Sequence, residues 1–256
     1  MRIALLGDIH SNQFAFQAVL DDLSHQNIDK IYFLGDYIFG GSGSAECVDI
    51  LRNIEFVPYI AIQGNKEEYI KDIETGTPNI NPILLFIYNE LGAERINFLK
   101  SLPKATSDII DGVKIKLAHN PSKSKIFVIN DRLERHNSVP NLEVLKQLAE
   151  NLTEDIYIFG HYHLFMDEIV SNKRFICTGS VGLPWGDDYK STYMILEIKN
   201  GNIKTEKRYV EYDRCQLVAD FETKGYFEKY DEWSMNTIIS IMTGKNYIGT
   251  QDLRRK

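Results

Sequence analysis

Two aspartates, one asparagine and four histidines stand in this sequence where apolar runs end. They are Asp8 and His10 in GDIHSN, Asp36 in GDYIFGG, Asn65 in GNKEE, His119 in LAHN, and His161 and His163 in IFGHYHLF. Carboxylate, neutral imidazole and amide oxygen together suit borderline divalent cations such as Mn²⁺, Zn²⁺, Fe²⁺ or Co²⁺. The Asp-x-His and His-x-His spacings matter, because residues two apart in an extended segment point to the same side. Seven candidates exceed the need of one ion and suit a pair about 3.5–4 Å apart that shares a carboxylate. Any one of them has a plainer reading, the Asp as a turn former and the His as a hydrogen-bonded core residue. Their coincidence in separate blocks is what argues for chemistry.

For these residues to meet, the runs before them must be strands of a wound sheet ending at one edge. Residues 2–6, 31–34 and 56–62 read as such strands. A helix is expected over 12–26, where Phe16, Val19, Leu20 and Leu23 recur at helical spacing, and another over SAECVDILRNI with Ser44 as its N-cap. This alternation predicts βαβ units and a largely parallel sheet. The segment from Glu67 to Pro103 reads as helical, interrupted by turns at 76–78 and 81–82. Strands follow around 156–159, 165–170, 174–176, 192–198 and 203–210, with a helix over 142–152 and hairpins through Asp111 and Gly112 and through Asn200 and Gly201. From about Asp213 the chain reads as helical again, anchored by Phe227, Tyr230, Trp233 and Ile238.

With 256 residues, no internal repeat and no linker rich in Pro, Gly or Ser, one α/β domain is the simplest organisation. Its core spans about 1–210, and a helical extension spans about 213–256. A composition 43% hydrophobic and 25% charged is that of an ordered globular protein. A formal charge of −7 and the lack of a basic stripe argue against nucleic acid or an anionic membrane as partner. No run reaches the roughly 20 apolar residues of a membrane helix, and the first run is too short for a signal-peptide core. Cys47, Cys177 and Cys215 are few, odd in number and far apart, so they read as reduced packing thiols of a cytoplasmic protein. The oligomeric state is left open.

In order, GDIHSN, GDYIFGG, GNKE, AHN and GHYH resemble the motif blocks of the calcineurin-like metallophosphoesterases, nearest to the small prokaryotic phosphodiesterase-type members. The resemblance covers about 1–210. It implies a sandwich of two mixed β-sheets flanked by helices, with two divalent metals, Mn²⁺ first and Fe, Zn or Co as alternatives. One metal would take Asp8, His10, Asp36 and His163, and the other Asp36, Asn65, His119 and His161, with Asp36 bridging. A metal-bridging hydroxide would then attack phosphorus in line with the leaving oxygen. Asp36, Asn65, Lys66 and His119 are the catalytic candidates. The substrate implied is small and phosphorylated.

The third block departs from the pattern. The family's His after the Asn, commonly assigned to protonate the leaving group, is Lys66 here, while Glu67 keeps the acidic position. A lysine with pKa of about 10.4 is a poor acid near neutral pH but can hold charge against a phosphate oxygen. Such a site favours leaving groups that need no proton, so nucleotide phosphoanhydrides fit better than alkyl monoesters. A dinucleoside polyphosphate is the leading expectation, and a broad-specificity or cyclic-nucleotide phosphodiesterase is the alternative. The plainer reading has Lys66 in solvent, paired with Glu67 or a neighbour. A non-catalytic scaffold of the same fold is the rival from another class, and the filled ligand positions argue against it. Among weaker signals, Asn12 is a candidate phosphoryl contact or helix cap. Gly40 to Ser44 suggests a phosphate-touching or flexible turn. In the loop GSVGLPWGDDY, Trp185 is a candidate base-stacking residue. Arg132, Arg135 and His136 lie in a polar segment that reads equally as substrate contact or solvated loop.

Overall fold

The computed structural model describes residues 1–78, 80–122, 125–186 and 189–248. Residue 79 of the middle segment, residues 187–188 of the Trp185 loop and the last stretch of the expected extension, 249–256, lie outside the described residues. In chain order the elements begin β1 (Arg2–Leu6), α1 (Gln13–Leu23), β2 (Lys30–Phe33), α2 (Ser44–Arg52), β3 (Tyr59–Ala61), α3 (Glu68–Glu74) and α4 (Pro82–Ser101). The hairpin β4 (Ala105–Ile110) and β5 (Val113–Ala118) follows, then β6 (Phe127–Val128), β7 (Val139–Pro140) and α5 (Leu142–Asn151). The chain continues through β8 (Ile156–Phe159), β9 (Phe165–Val170), β10 (Lys173–Thr178), β11 (Ser191–Lys199), β12 (Asn202–Val210), α6 (Arg214–Thr223) and α7 (Tyr226–Thr243).

Two five-stranded sheets form, in the orders β12-β11-β1-β2-β3 and β4-β5-β8-β10-β9. Each contains a parallel run: β5-β8-β10 has an antiparallel strand on both sides, whereas β1-β2-β3 ends at β3 as an edge strand and carries the antiparallel pair β11-β12 on its other side. The largely parallel sheet expected from strand–helix alternation is therefore only part of each layer. The hairpins of the second half add antiparallel strands to both.

Alternation along β1 explains the layering. Ile3 and Leu5 face the second sheet, joining Tyr32, Ile115, Ile158, Ile176 and Met194 in a dry inter-sheet core. Ala4 and Leu6 face the other way, onto Phe16 and Val19 of α1. Period two on the strand and helical spacing on α1 thus meet on one face. The result is a β-sandwich with helices packed outside it.

Three local differences from the sequence reading have simple causes. The third strand begins at Tyr59 rather than 56, because Pro58 has no N–H for the ladder and gives only its carbonyl, to Ile31 N. Gly43, not Ser44, caps α2, because the Ser44 hydroxyl is turned to Ser11 Oγ at 2.7 Å. Cys215 is exposed, so only Cys47 and Cys177 are packing thiols. The C-terminal helices are built into the body of the protein: Leu217, Phe221, Tyr226 and Ile241 are buried in the same cluster as Phe16 and Val48.

Candidate metal centre

The loops leaving β1 and β2 are zipped together by their backbones. Asp8 N donates to Gly35 O at 3.0 Å, and His10 N donates to Asp36 O at 2.9 Å. Asp8, His10, Asp36, His161 and His163 all adopt left-handed backbone conformations, with φ of 56°, 50°, 56°, 72° and 59°. The expectation of extended Asp-x-His and His-x-His segments is thereby corrected. Sharp turns just beyond the strands aim these side chains inward, at a backbone cost of about 1–2 kcal/mol per residue. Two glycines allow the approach. A Cβ on Gly64 would stand 2.1 Å from Asp36 Oδ1, and one on Gly160 would stand 2.6 Å from Asp8 Oδ2.

The seven expected ligands do converge. Ligand atoms of Asp8, His10 and His163 lie within 4.8 Å of one another, and so do those of Asp8, Asp36 and His119. Asp36 Oδ2 stands 3.7 Å from His10 Nε2 and 3.3 Å from His119 Nε2, within reach of imidazoles from both groups. Asn65 Oδ1 lies 3.0 Å from His119 Nε2 and 2.8 Å from His161 Nδ1. Three histidines are oriented from behind: Nδ1 of His10, His119 and His163 faces the carbonyls of Phe39, Leu34 and Leu183 at 2.5, 2.6 and 2.6 Å. Giving Nδ1–H to a carbonyl directs each Nε2 into the cluster, where it offers a lone pair once it carries no proton, as metal-binding imidazoles require.

The donor set fits a divalent cation on a specific ground. His10 Nε2 and His163 Nε2 face each other at 3.0 Å, and both Nδ1 atoms are already committed as donors. Two lone pairs at that separation repel, and a cation held between them resolves the conflict. The electrostatics agree. Burial works to raise the Asp8 carboxyl, yet His163, His10 and His119 hold it well below the usual carboxylate range. Asp36 is also depressed despite its burial, by His119, His10 and Lys66. Burial pulls His119 down, but Asp36 and Asp8 outweigh it and push the imidazole up to about 9. Burial and the neighbouring His119 lower His161 to about 3.

Glu67 is the functional residue whose role sequence reasoning missed. Its fully buried carboxylate accepts the backbone N–H of Asp36 at 3.0 Å, Tyr37 at 2.9 Å and Gly64 at 2.6 Å. It ties the Asp36 loop to the Asn65 loop. Burial and the Asp36 charge raise it to about 7. An acid three residues after a turn glycine has capping-box spacing, and that was the available signal. Glu67 is consequently engaged inside the protein and is not the partner of Lys66. The Lys66 ammonium lies 5.5 Å from the Tyr69 ring centroid, while its backbone N–H donates to Asp36 Oδ1 at 2.8 Å.

Two expected substrate contacts are placed differently. Asn12 is fully buried: Oδ1 caps α1 through Ala15 N, and Nδ2 donates to Gly182 O and the Tyr212 hydroxyl. Both its amide protons are used, so it acts as a cap and a bolt between elements. Trp185 stacks on His163, with ring centroids 5.1 Å apart and planes within 9°. The Gly40 to Ser44 stretch is neither flexible nor open to phosphate. It is buried, with Gly41 N bound to His10 O and Gly43 N to Ser11 O. Arg135 and His136 are half-buried, and Arg132 is exposed.

Residues 1–201 match the family model of the calcineurin-like phosphoesterase superfamily domain. The chain belongs to this superfamily. It is accordingly a phosphoesterase of a divalent-metal-dependent class. The uncharacterized protein MJ0912 of Methanocaldococcus jannaschii is 28% identical over 237 residues, covering 82% of this chain and 88% of that protein. The fold matches the crystal structure of hypothetical protein PH1004 from Pyrococcus horikoshii OT3 with a TM-score of 0.73 at 18% identity, covering 87% of this chain and 93% of that one. It also matches the crystal structure of a metallophosphoesterase from Sphaerobacter thermophilus, with a TM-score of 0.69 at 22% identity, covering 95% and 100%. No helix among the described residues is long and apolar enough to cross a membrane.

Proposed function

We propose that this phosphoesterase uses two divalent cations, Mn²⁺ in the first instance, to hydrolyse a small nucleotide phosphoanhydride or phosphodiester, with a dinucleoside polyphosphate as the leading substrate. The observation that carries this reading is the pair of overlapping ligand groups with Asp36 Oδ2 near imidazoles of both. Asp8, His10, Asp36 and His163 would hold one cation, and Asp36, Asn65, His119 and His161 the other. When bound, such cations acidify water, bind phosphoryl oxygens and offset the charge that develops in the transition state.

The protein's own residues then have defined tasks. Phe39, Leu34 and Leu183 fix three imidazoles in the correct tautomer through their carbonyls. Glu67 fixes the loops that carry Asp36 and Asn65. Lys66 supplies positive charge that lowers the Asp36 carboxyl, and lysines in general are poor proton donors to a leaving group near neutral pH. Phosphate leaving groups, with a second pKa near 6, depart without one. That preference separates anhydrides from alkyl monoesters.

The test uses metal-stripped protein reconstituted with Mn²⁺ or Co²⁺. Bis-p-nitrophenyl phosphate and diadenosine tetraphosphate should both be hydrolysed, with activity abolished by chelator and restored by metal. Asp36→Asn should lower the content of both metals, as measured by elemental analysis. Full activity in metal-stripped protein overturns the two-metal reading.

A further inference from the structure

A cavity of about 400 Å³ shares His163 with the candidate metal centre and is otherwise lined by residues the metal chemistry does not use. We propose that this cavity holds the nucleoside part of the substrate: a heteroaromatic ring with hydrogen-bond acceptors, attached to phosphate. The proposal rests on the phosphohydrolase reading and adds to it a place for the group that reading leaves unspecified.

Three features of the lining select that chemistry. The first is aromatic surface: Phe165 and Tyr209 meet edge to face, with ring centroids 5.6 Å apart. The second is positive charge. Lys207 holds its ammonium 5.2 Å from the Phe165 ring centroid, and Lys190 joins it, steadied by Glu211 at 3.2 Å. Among the described lining residues none is acidic. The third is hydrogen-bonding capacity without a partner. Trp185 Nε1 and Ser138 Oγ are buried, line the cavity and make no hydrogen bond. Buried polar atoms in native proteins are nearly always paired, so two orphans among the lining residues ask for a polar ligand or ordered water. A purely aliphatic ligand would leave the charge and the donors unused, and a purely anionic one would leave the aromatic surface unused.

The role of Trp185 differs from simple base stacking. His163 already stacks on its ring, and the Arg135 guanidinium stands 5.9 Å from its centroid. What Trp185 brings to the lining is an indole N–H without a partner, while Phe165 and Tyr209 bring aromatic surface. Cavities of about 300–1,000 Å³ with apolar walls and a few placed polar groups are the usual enclosure for small ligands. Because His163 belongs to both sites, a ring seated here would lie next to a phosphate at the metal centre.

Isothermal titration of metal-loaded protein with adenosine 5′-monophosphate and with inorganic phosphate tests this directly. The nucleotide should bind at least tenfold more tightly than phosphate. Trp185→Phe, which keeps the ring and removes the N–H, and Lys207→Met, on an exposed strand position, should each reduce that ratio at least threefold. Equal affinities in the parent protein, or a ratio unmoved by both substitutions, overturns the pocket. Chelator-insensitive or absent hydrolysis of bis-p-nitrophenyl phosphate with the affinity ratio intact would instead overturn the phosphohydrolase reading and leave the pocket standing.

Discussion

The Glu67 carboxylate is bonded to the backbone N–H of Asp36 at 3.0 Å, so the residue beside the family's usual His position is part of the scaffold beneath the metal centre. Oε2 also takes Gly64 N, and Oε1 takes Tyr37 N. Glu67→Gln must turn an amide NH₂ toward at least one of these N–H groups, losing a bond and adding a donor–donor clash. The expected cost is about 1–3 kcal/mol, the scale of a buried group left unsatisfied. Denaturant unfolding should show that loss, and metal content should drop with it. An unchanged midpoint would refute the bracing role.

A pH dependence of stability follows for metal-free protein. His119 is pushed up to about 9 from an ordinary 6.5, so its stabilisation is complete below pH 6.5 and is lost as pH rises through 9. Glu67, raised to about 7 from 4.5, also favours the folded state less as pH climbs toward 7. Both slopes have the same sign above pH 6.5. Thermal midpoints measured in chelator should therefore fall from pH 6.5 to 9. His119→Gln should flatten that fall, and bound metal should remove it, because a ligating imidazole carries no proton at Nε2. A midpoint that rises over this window would contradict the assignment.

Lys66 should make rates depend steeply on the leaving group. Nucleotide anhydrides and nitrophenyl esters should turn over, whereas alkyl monoesters should barely react. Lys66→His should recover part of the activity on poor leaving groups, since imidazole titrates near pH 6.5 and can donate a proton. Lys66→Ala should weaken phosphate-rich substrates by about 1.5–3 kcal/mol, the worth of a charge-assisted hydrogen bond. With metal occupancy matched, kcat/KM across a leaving-group series decides the point. Uniform rates in Lys66→Ala would make Lys66 a bystander.

The C-terminal region should affect substrate preference without touching the metals. Gly244 ends α7 at φ 64°, and its carbonyl accepts the backbone N–H of Gly186, next to Trp185. A Cβ at Gly244 would stand 1.8 Å from Gly186 O. Gly244→Ala should therefore push the Trp185 loop aside and cost about 1–2 kcal/mol for the left-handed backbone alone. KM for nucleotides should rise while bound metal per chain stays constant. Loss of metal from folded Gly244→Ala protein would count against this separation.

Much of the site was legible because it is written locally. Each block of candidate ligands follows an apolar run, and apolar runs between helical patterns betray strands. Asp8, His10, Asp36, Asn65, His119, His161 and His163 could thus be assembled without coordinates, as could the hairpins at Asp111 and Asn200. Asn65 reads as a ligand by the same logic, but the residue after it does not. The Lys66 backbone N–H is held by Asp36, thirty residues away, a contact that local pattern does not reveal.

What the sequence by itself determined is the inventory of candidate ligands, its order and the alternation of strand and helix, all carried by residue type and periodicity. Tertiary structure decided the rest, because it depends on groups far apart in the chain or on backbone atoms that every residue shares. The tautomers of His10, His119 and His163 are set by carbonyls of Phe39, Leu34 and Leu183, and a carbonyl has no sequence signature. The turns that aim the ligands are left-handed at aspartate and histidine, where the Asp-x-His and His-x-His spacing suggested extended backbone. Asn12 was a plausible phosphate contact until its amide met Gly182 and Tyr212, 170 and 200 residues away. Burial makes such long-range hydrogen bonds obligatory, and only the packed chain says which groups are buried together.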